Sequence, residues 1–388
     1  MPMALQSLLD ELAGYLGTPE RACFTLPPEA YCSPELHALE VREIFEKSWL
    51  CVGREEYVPN TGDYFTIDVM GEPVIVVRGK DGRVRALNSA CRHRYMPVVE
   101  GRGNAKRFTC PYHAWTYAID GRLIGAPHME ESQVFDPAKC GLPQYRLESW
   151  MGFLFVNLDD DAASLQPVMA SVERAVANYR IGEQTEIFHY EKEWAGNWKL
   201  SGENSMEYYH HVGLHVRSIG IQTPAKGSYF PTVPITPDET FTHQRCRMET
   251  KQHAMNPRGD LRGLTPEELG TAYLVYVFPA FTMAMRPGTN NWLSFRPDGP
   301  EKTKVLGGYL MWKDIAEEEP ELARQRRELI EQVNDEDERA TSELAKVMRS
   351  RKAARGPLSH FEGTIVQFYR YLARTLAADR ARRDRAAE

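Results

Sequence analysis

The sequence lacks most of the features that would place it quickly. Across 388 residues no stretch approaches the roughly 18 uncharged apolar residues of a membrane-spanning helix. The segment from Met1 to Gly17 has no basic leader and carries Asp10 and Glu11 inside its apolar run, so a secretory signal is not expected. Lys and Arg number 47 against 54 Asp and Glu, a formal charge of −7, which leaves no basic footprint for nucleic acid or an anionic membrane. Cysteine is scarce and odd in number, seven in all, which argues against a disulfide scaffold and for reduced thiols in a cytoplasm. No phosphate-binding loop, His-Glu-x-x-His or Gly-x-Ser-x-Gly occurs, so nucleotide-binding and hydrolase readings have no motif behind them. Gly101-Arg102-Gly103 lacks the strand-to-helix setting of a dinucleotide fingerprint and reads as a turn.

What is present is ordinary globular material, 42 % hydrophobic and 10 % aromatic, with length for about two or three folding units. Residues 1–44 read as a helical arm, with apolar positions at helical spacing over 5–16 and 34–49; Ser33 and Pro34 sit like an N-cap and first helical residue. Residues 45–158 change to short alternating runs such as Tyr64–Val69 and Pro73–Arg78, broken by Gly62, Gly71 and Asp81-Gly82, which predicts a small all-β domain. Residues 159–388 mix types. Helices are expected over 163–180, 316–352 and 358–384 and from about 199, with strands over 186–194, 271–284 and 304–313. That order favours an antiparallel sheet packed by helices, an α+β domain.

Two constellations carry chemistry. In the β domain, Cys91-Arg92-His93 and Cys110-Pro111-Tyr112-His113 each supply one thiolate and one imidazole. A common zinc finger pairs Cys with Cys and His with His along the chain; mixed loops suit a two-iron cluster with both thiolates on one iron and both imidazoles on the other. A structural zinc site is the alternative. Trp115 and Pro97 are placed to shield the sulfurs.

The second constellation follows residue 195. Glu207 and His210 are three apart and share a helical face, so they can hydrogen-bond or relay a proton. His210 and His215 are five apart and converge only if the helix loosens, which Gly213 permits. Two imidazoles with a carboxylate from elsewhere make the facial triad of non-haem Fe(II). In the helix expected over 316–352, Asp337 falls on the apolar stripe of Ile330, Val333, Ala340, Leu344 and Val347, where an aspartate is costly unless paired or metal-bound. Asp337 is therefore the expected third ligand, with Asp335 as fallback; Asp335, Glu336 and Glu338 read as solvated. His211 is expected to face away from the metal, as core or as a residue behind the ligands, and His128, His189, His243, His253 and His360 are isolated.

Together the two constellations resemble the catalytic α subunit of Rieske non-haem iron (aromatic ring-hydroxylating) oxygenases over nearly the whole chain. The resemblance implies a Rieske [2Fe–2S] domain over 45–158, inserted in a helix-grip, START-like catalytic domain over 159–388 on which the arm 1–44 packs. Cys91, His93, Cys110 and His113 would hold the cluster, and His210, His215 and Asp337 a mononuclear Fe(II). Asn204 matches the asparagine beside the open iron position and Glu207 the bridging acid, where aspartate is usual. Glutamate there is similar to members that oxidise quaternary amines such as carnitine and betaines. The family implies electrons from NAD(P)H through a separate reductase, with or without a ferredoxin. It also implies a homotrimer and mono- or dioxygenation or oxidative demethylation of a small organic substrate, here expected to be aromatic. Tyr273, Tyr276, Phe278, Phe281, Met283, Met285 and Trp292 are candidates for the pocket wall or for plain sheet core. The rivals are a Rieske electron carrier without oxygenase chemistry and a zinc-stabilised binding protein.

Overall fold

The computed structural model describes residues 4–231, 240–249 and 262–387. The chain forms two compact units, one of Glu46–Leu165 and one of Met1–Phe45 with Gln166–Glu388. No helix among the described residues is long and apolar enough to cross a membrane.

The smaller unit is all β. Strands Leu50–Arg54, Phe153–Asn157, Gln144–Trp150, Val84–Asn88, Glu72–Arg78, Asp63–Val69 and Arg102–Asn104 pair in that spatial order, all antiparallel. The hairpin between Val69 and Glu72 turns on Met70 and Gly71, both with positive φ (55° and 88°), the geometry that matches strand twist in a two-residue turn. A second sheet of three short strands, Arg107–Thr109, Thr116–Ala118 and Leu123–Gly125, presents the second Cys-His loop. Ile75, Val77, Leu87, Phe108, Trp115 and Tyr117 form one buried cluster that also encloses Cys91 and Cys110.

The larger unit is built on a seven-stranded antiparallel sheet. Its spatial order is Thr185–Ala195, Lys302–Met311, Thr289–Pro297, Phe281–Arg286, Thr271–Val277, Phe241–Arg247 and Ser228–Tyr229. Helix Pro320–Val347 lies against strand Thr185–Ala195, and helix Gly363–Ala387 against Phe241–Arg247. The run expected as one strand over 271–284 is two, because Pro279 removes a ladder donor and the chain reverses between Val277 and Phe281. The N-terminal helices Leu5–Gly14 and Pro34–Glu43 pack on helix Gly363–Ala387. Ser33 caps the second of them by accepting from Leu36 N at 3.1 Å. Tyr31 further ties this arm to the unit, donating to Glu203 at 2.8 and 3.0 Å.

Candidate metal centres and substrate cleft

The two Cys-His loops share one backbone construction. Cys91 N donates to Met96 O and Tyr95 N to Cys91 O; Cys110 N donates to Trp115 O and Ala114 N to Cys110 O, all at 2.8 to 3.0 Å. The fourth residue after each cysteine, Tyr95 and Ala114, is left-handed at φ 62° and 59°. A non-glycine residue held there costs about 1–2 kcal/mol, a strain that concentrates where a site demands it. Both thiols are buried, while His113 reaches the surface. The two imidazoles lie 4.6 Å apart centre to centre, and Trp115 stacks on His93 at 5.0 Å. Tyr117 Oη contacts Cys91 Sγ at 3.3 Å and accepts from Arg92 N, an outer contact to the sulfur that the sequence motif does not announce.

The His93 Nδ1 atom is buried without a hydrogen-bond partner. A buried orphan nitrogen beside two buried thiols and a second imidazole fits a Rieske [2Fe–2S] cluster. Burial, then the charges of His113 and Arg94, hold the His93 imidazole toward its neutral, metal-binding form.

In the larger unit, Asn197 caps helix Trp198–Asn204 by accepting from Lys199 N at 3.1 Å. The helix ends at Asn204, and the histidines follow on a 3₁₀ turn over Tyr209–Val212 and the loop beyond. This departure from α geometry brings the His210 and His215 rings to 5.0 Å. Gly220 is obligatory here, because a Cβ would stand 2.6 Å from His215 O. Asp337 projects from helix Pro320–Val347, with Oδ1 at 2.9 Å from His215 Nε2 and 3.9 Å from His210 Nε2.

Each histidine is also held from behind. Glu207 takes His210 Nδ1 at 2.6 Å and His210 N at 3.0 Å. Glu336 takes His215 Nδ1 at 2.6 Å and a hydrogen bond from Ser218 Oγ at 2.6 Å. The donor set left free to converge is Nε2, Nε2 and Oδ1, which fits the facial triad of non-haem Fe(II). Burial opposes charge on His210, but Glu207 and Asp337 outweigh it and raise its pKa.

The structure brings Asp337, not Asp335, to the histidines; Asp335 is on the surface, 2.7 Å from Lys192 Nζ. Three expectations need correcting. Glu336 is not a solvated charge, because its side chain sweeps back across the helix to His215. His211 is buried, as expected, but does not face away: it lines the cleft with rings 4.7 and 5.0 Å from His210 and His215, its Nδ1 at 2.8 Å from Thr223 O. Burial, then its two histidine neighbours, press its pKa well below the ordinary value. The apolar stripe ends early, since Leu344 and Val347 are exposed; the buried row is Ile330, Asn334, Asp337 and Thr341. His253 lies outside the described residues.

The histidines and Asp337 line an open cleft. Its sheet wall is Leu274, Thr282, Ala284, Arg286, Asn291 and Leu293, and its helix wall Ile330, Val333 and Asn334. Asn204 and Glu207 line it too. None of the seven aromatic and methionine candidates from the strands does so; they are sheet core.

Comparisons with known proteins give the family. Residues 48–146 match the Rieske [2Fe-2S] domain, and residues 177–378 match the catalytic domain of the ring hydroxylating alpha subunit. The 2-aminobenzenesulfonate 2,3-dioxygenase subunit alpha of an Alcaligenes species is 32 % identical over 364 residues, 88 % of this chain and 89 % of that protein. The glycine betaine monooxygenase oxygenase subunit of Chromohalobacter salexigens is 36 % identical over 192 residues, spanning only 49 % of this chain and 43 % of that protein. Among solved structures, a quaternary ammonium Rieske monooxygenase superposes with a TM-score of 0.79 at 22 % identity, covering 94 % of this chain and 98 % of the other. Naphthalene 1,2-dioxygenase from a Rhodococcus species does so with a TM-score of 0.78 at 22 % identity, covering 97 % and 99 %. The chain belongs to the ring-hydroxylating oxygenase alpha subunits, the terminal oxygenases that carry a Rieske [2Fe–2S] domain and a mononuclear-iron catalytic domain and draw electrons from a reductase.

Proposed function

We propose that this chain hydroxylates a small aromatic substrate in the cleft above His210, His215 and Asp337. The observation that carries this is the placing of Asp337 Oδ1 against His215 Nε2 and near His210 Nε2 on one open cleft, with each histidine braced by a carboxylate. Iron held there would supply oxygen activation beside the substrate, fed by electrons from a cluster held by Cys91, His93, Cys110 and His113.

The chain's own residues have distinct tasks in this reading. Glu207 fixes the His210 ring through Nδ1 and is the acid that bridges toward His113 of a neighbouring subunit. Asn204 lines the same cleft and would stand beside iron held there. Exposed Tyr112 packs on the exposed His113 at 3.8 Å between ring centres, with Arg94 over the Tyr112 ring at 5.1 Å, a surface suited to cover by another copy in a homotrimer. The five cysteines outside the cluster loops, none of them in a disulfide, fit a cytoplasmic enzyme supplied from NAD(P)H through a separate reductase.

A quaternary ammonium substrate is the second reading. It is favoured by glutamate rather than aspartate at 207 and by the glycine betaine and carnitine monooxygenase relatives, which match about half of this chain. The lining does not favour it, because Tyr208 is the sole Phe, Tyr or Trp on the cleft among the described residues, too few for an aromatic cage.

The test is Glu207→Gln. Both metal centres should load as in the wild type, while stopped-flow reoxidation of the reduced cluster by oxygen and substrate should slow by at least about 100-fold. Transfer at the wild-type rate would remove Glu207 from the electron path.

A further inference from the structure

The cleft holds an arginine that no carboxylate among the described residues pairs with. Arg286 is the last residue of strand Phe281–Arg286, just before the two-residue turn Pro287-Gly288, so its position is fixed by the hairpin. Thr282, Ala284 and Arg286 alternate onto the same face of the strand and all line the cleft. Arg286 Nε is buried without a hydrogen-bond partner, and no carboxylate among the described residues pairs with the guanidinium.

It is not alone. Tyr208 Oη, Asn291 Oδ1 and Asn334 Nδ2 are also buried without partners, and all three residues line the same cleft. Asn291 faces Ala284 across the ladder, one side-chain step from Arg286 on the neighbouring strand. Asn334 stands on the helix wall, three residues before Asp337. Buried polar groups are nearly always satisfied, so four orphans around one cleft mark where a ligand's polar atoms belong. Arg286, Tyr208 and Asn334 offer donors, and the guanidinium presents a planar fork that matches a carboxylate or sulfonate.

Resting on the oxygenase reading above, we infer that the substrate carries an anionic group, a carboxylate or a sulfonate, which Arg286 receives with Tyr208 and Asn334, while Asn291 supplies a polar contact to a neighbouring substituent. Arg286 is thus a specificity residue. It takes no part in holding iron.

Equilibrium binding to the iron-loaded enzyme without oxygen, read by calorimetry, tests this with benzoate, benzenesulfonate and the uncharged benzamide. The wild type should bind one or both anions at least about tenfold more tightly than benzamide, the arm that binds naming the anion. Arg286→Gln should bring anion and amide within about twofold of each other, with Arg286→Lys recovering part of the preference. Iron and sulfide content measured in each variant separates misfolding from lost recognition. Wild-type binding without anion preference, or a preference undiminished in Arg286→Gln, overturns the subsite. Oxygen uptake with the bound compound is scored separately. An anion that binds through Arg286 without driving uptake leaves the subsite standing and counts against the oxygenase reading; uptake driven only by neutral aromatics does the reverse.

Discussion

At the scale of single residues, carboxylates do most of the organising, and burial decides what each one does. Glu207 and Glu336 each hold the outer nitrogen of a histidine, and Asp337 meets the inner ones. Glu203, on the same segment, has a different environment. It is half-buried beside Tyr31, and desolvation outweighs the Tyr31 hydrogen bond and the Lys199 charge, raising its pKa from 4.5 to about 8. The native state therefore keeps a proton that the unfolded chain releases above about pH 4.5. Stability should fall as pH rises from about 5 to 8 and level off above that. Glu203→Gln should flatten the dependence in that window, read as the denaturation midpoint against pH; parallel profiles for variant and wild type would refute the assignment. Residues of this kind differ in how far the sequence announces them. Asp337 was legible because an acid on an apolar stripe conflicts with its surroundings. Glu336, one position on, offered no such conflict, because a long side chain can leave the face its Cα suggests. Arg286 was equally silent, since an arginine at a strand end before Pro-Gly reads as a solvated hairpin residue.

At the scale of elements, local signals were legible where they are local in cause. Ser33 before Pro34 starts a helix because its hydroxyl accepts from Leu36 N, and that hydrogen bond needs nothing from the rest of the chain. Ser33→Ala should cost about 1 kcal/mol in chemical denaturation, and Ser33→Asp should recover most of it. An unchanged midpoint in the alanine variant would show the cap to be redundant. Strand Thr289–Pro297 gave no comparable signal. Its Asn290, Asn291 and Ser294 break the alternation, and what settles Asn290 is a partner distant in sequence, its Nδ2 donating to Gln184 Oε1 at 2.6 Å. The same holds for the His210–His215 segment. Its loosening was anticipated from Gly213, but the tight approach that shapes it is at Gly220, against the carbonyls of His215 and His211.

At the scale of the molecule, the chain divides its work between a β unit that cages two thiols and two imidazoles and an α+β unit that braces a histidine pair behind a cleft. The family was legible from two short motifs because ligand chemistry constrains spacing more tightly than packing does. The cleft was not, because its walls come from strands and a helix far apart in sequence. The central claim is that these are two separate metal centres in one chain, and a count of iron and acid-labile sulfide tests it most directly. The wild type should hold about three irons and two sulfides per chain, Asp337→Ala about two and two, and Cys110→Ser about one iron and no sulfide. Zinc in place of cluster iron, or a third iron retained in Asp337→Ala, would contradict the account.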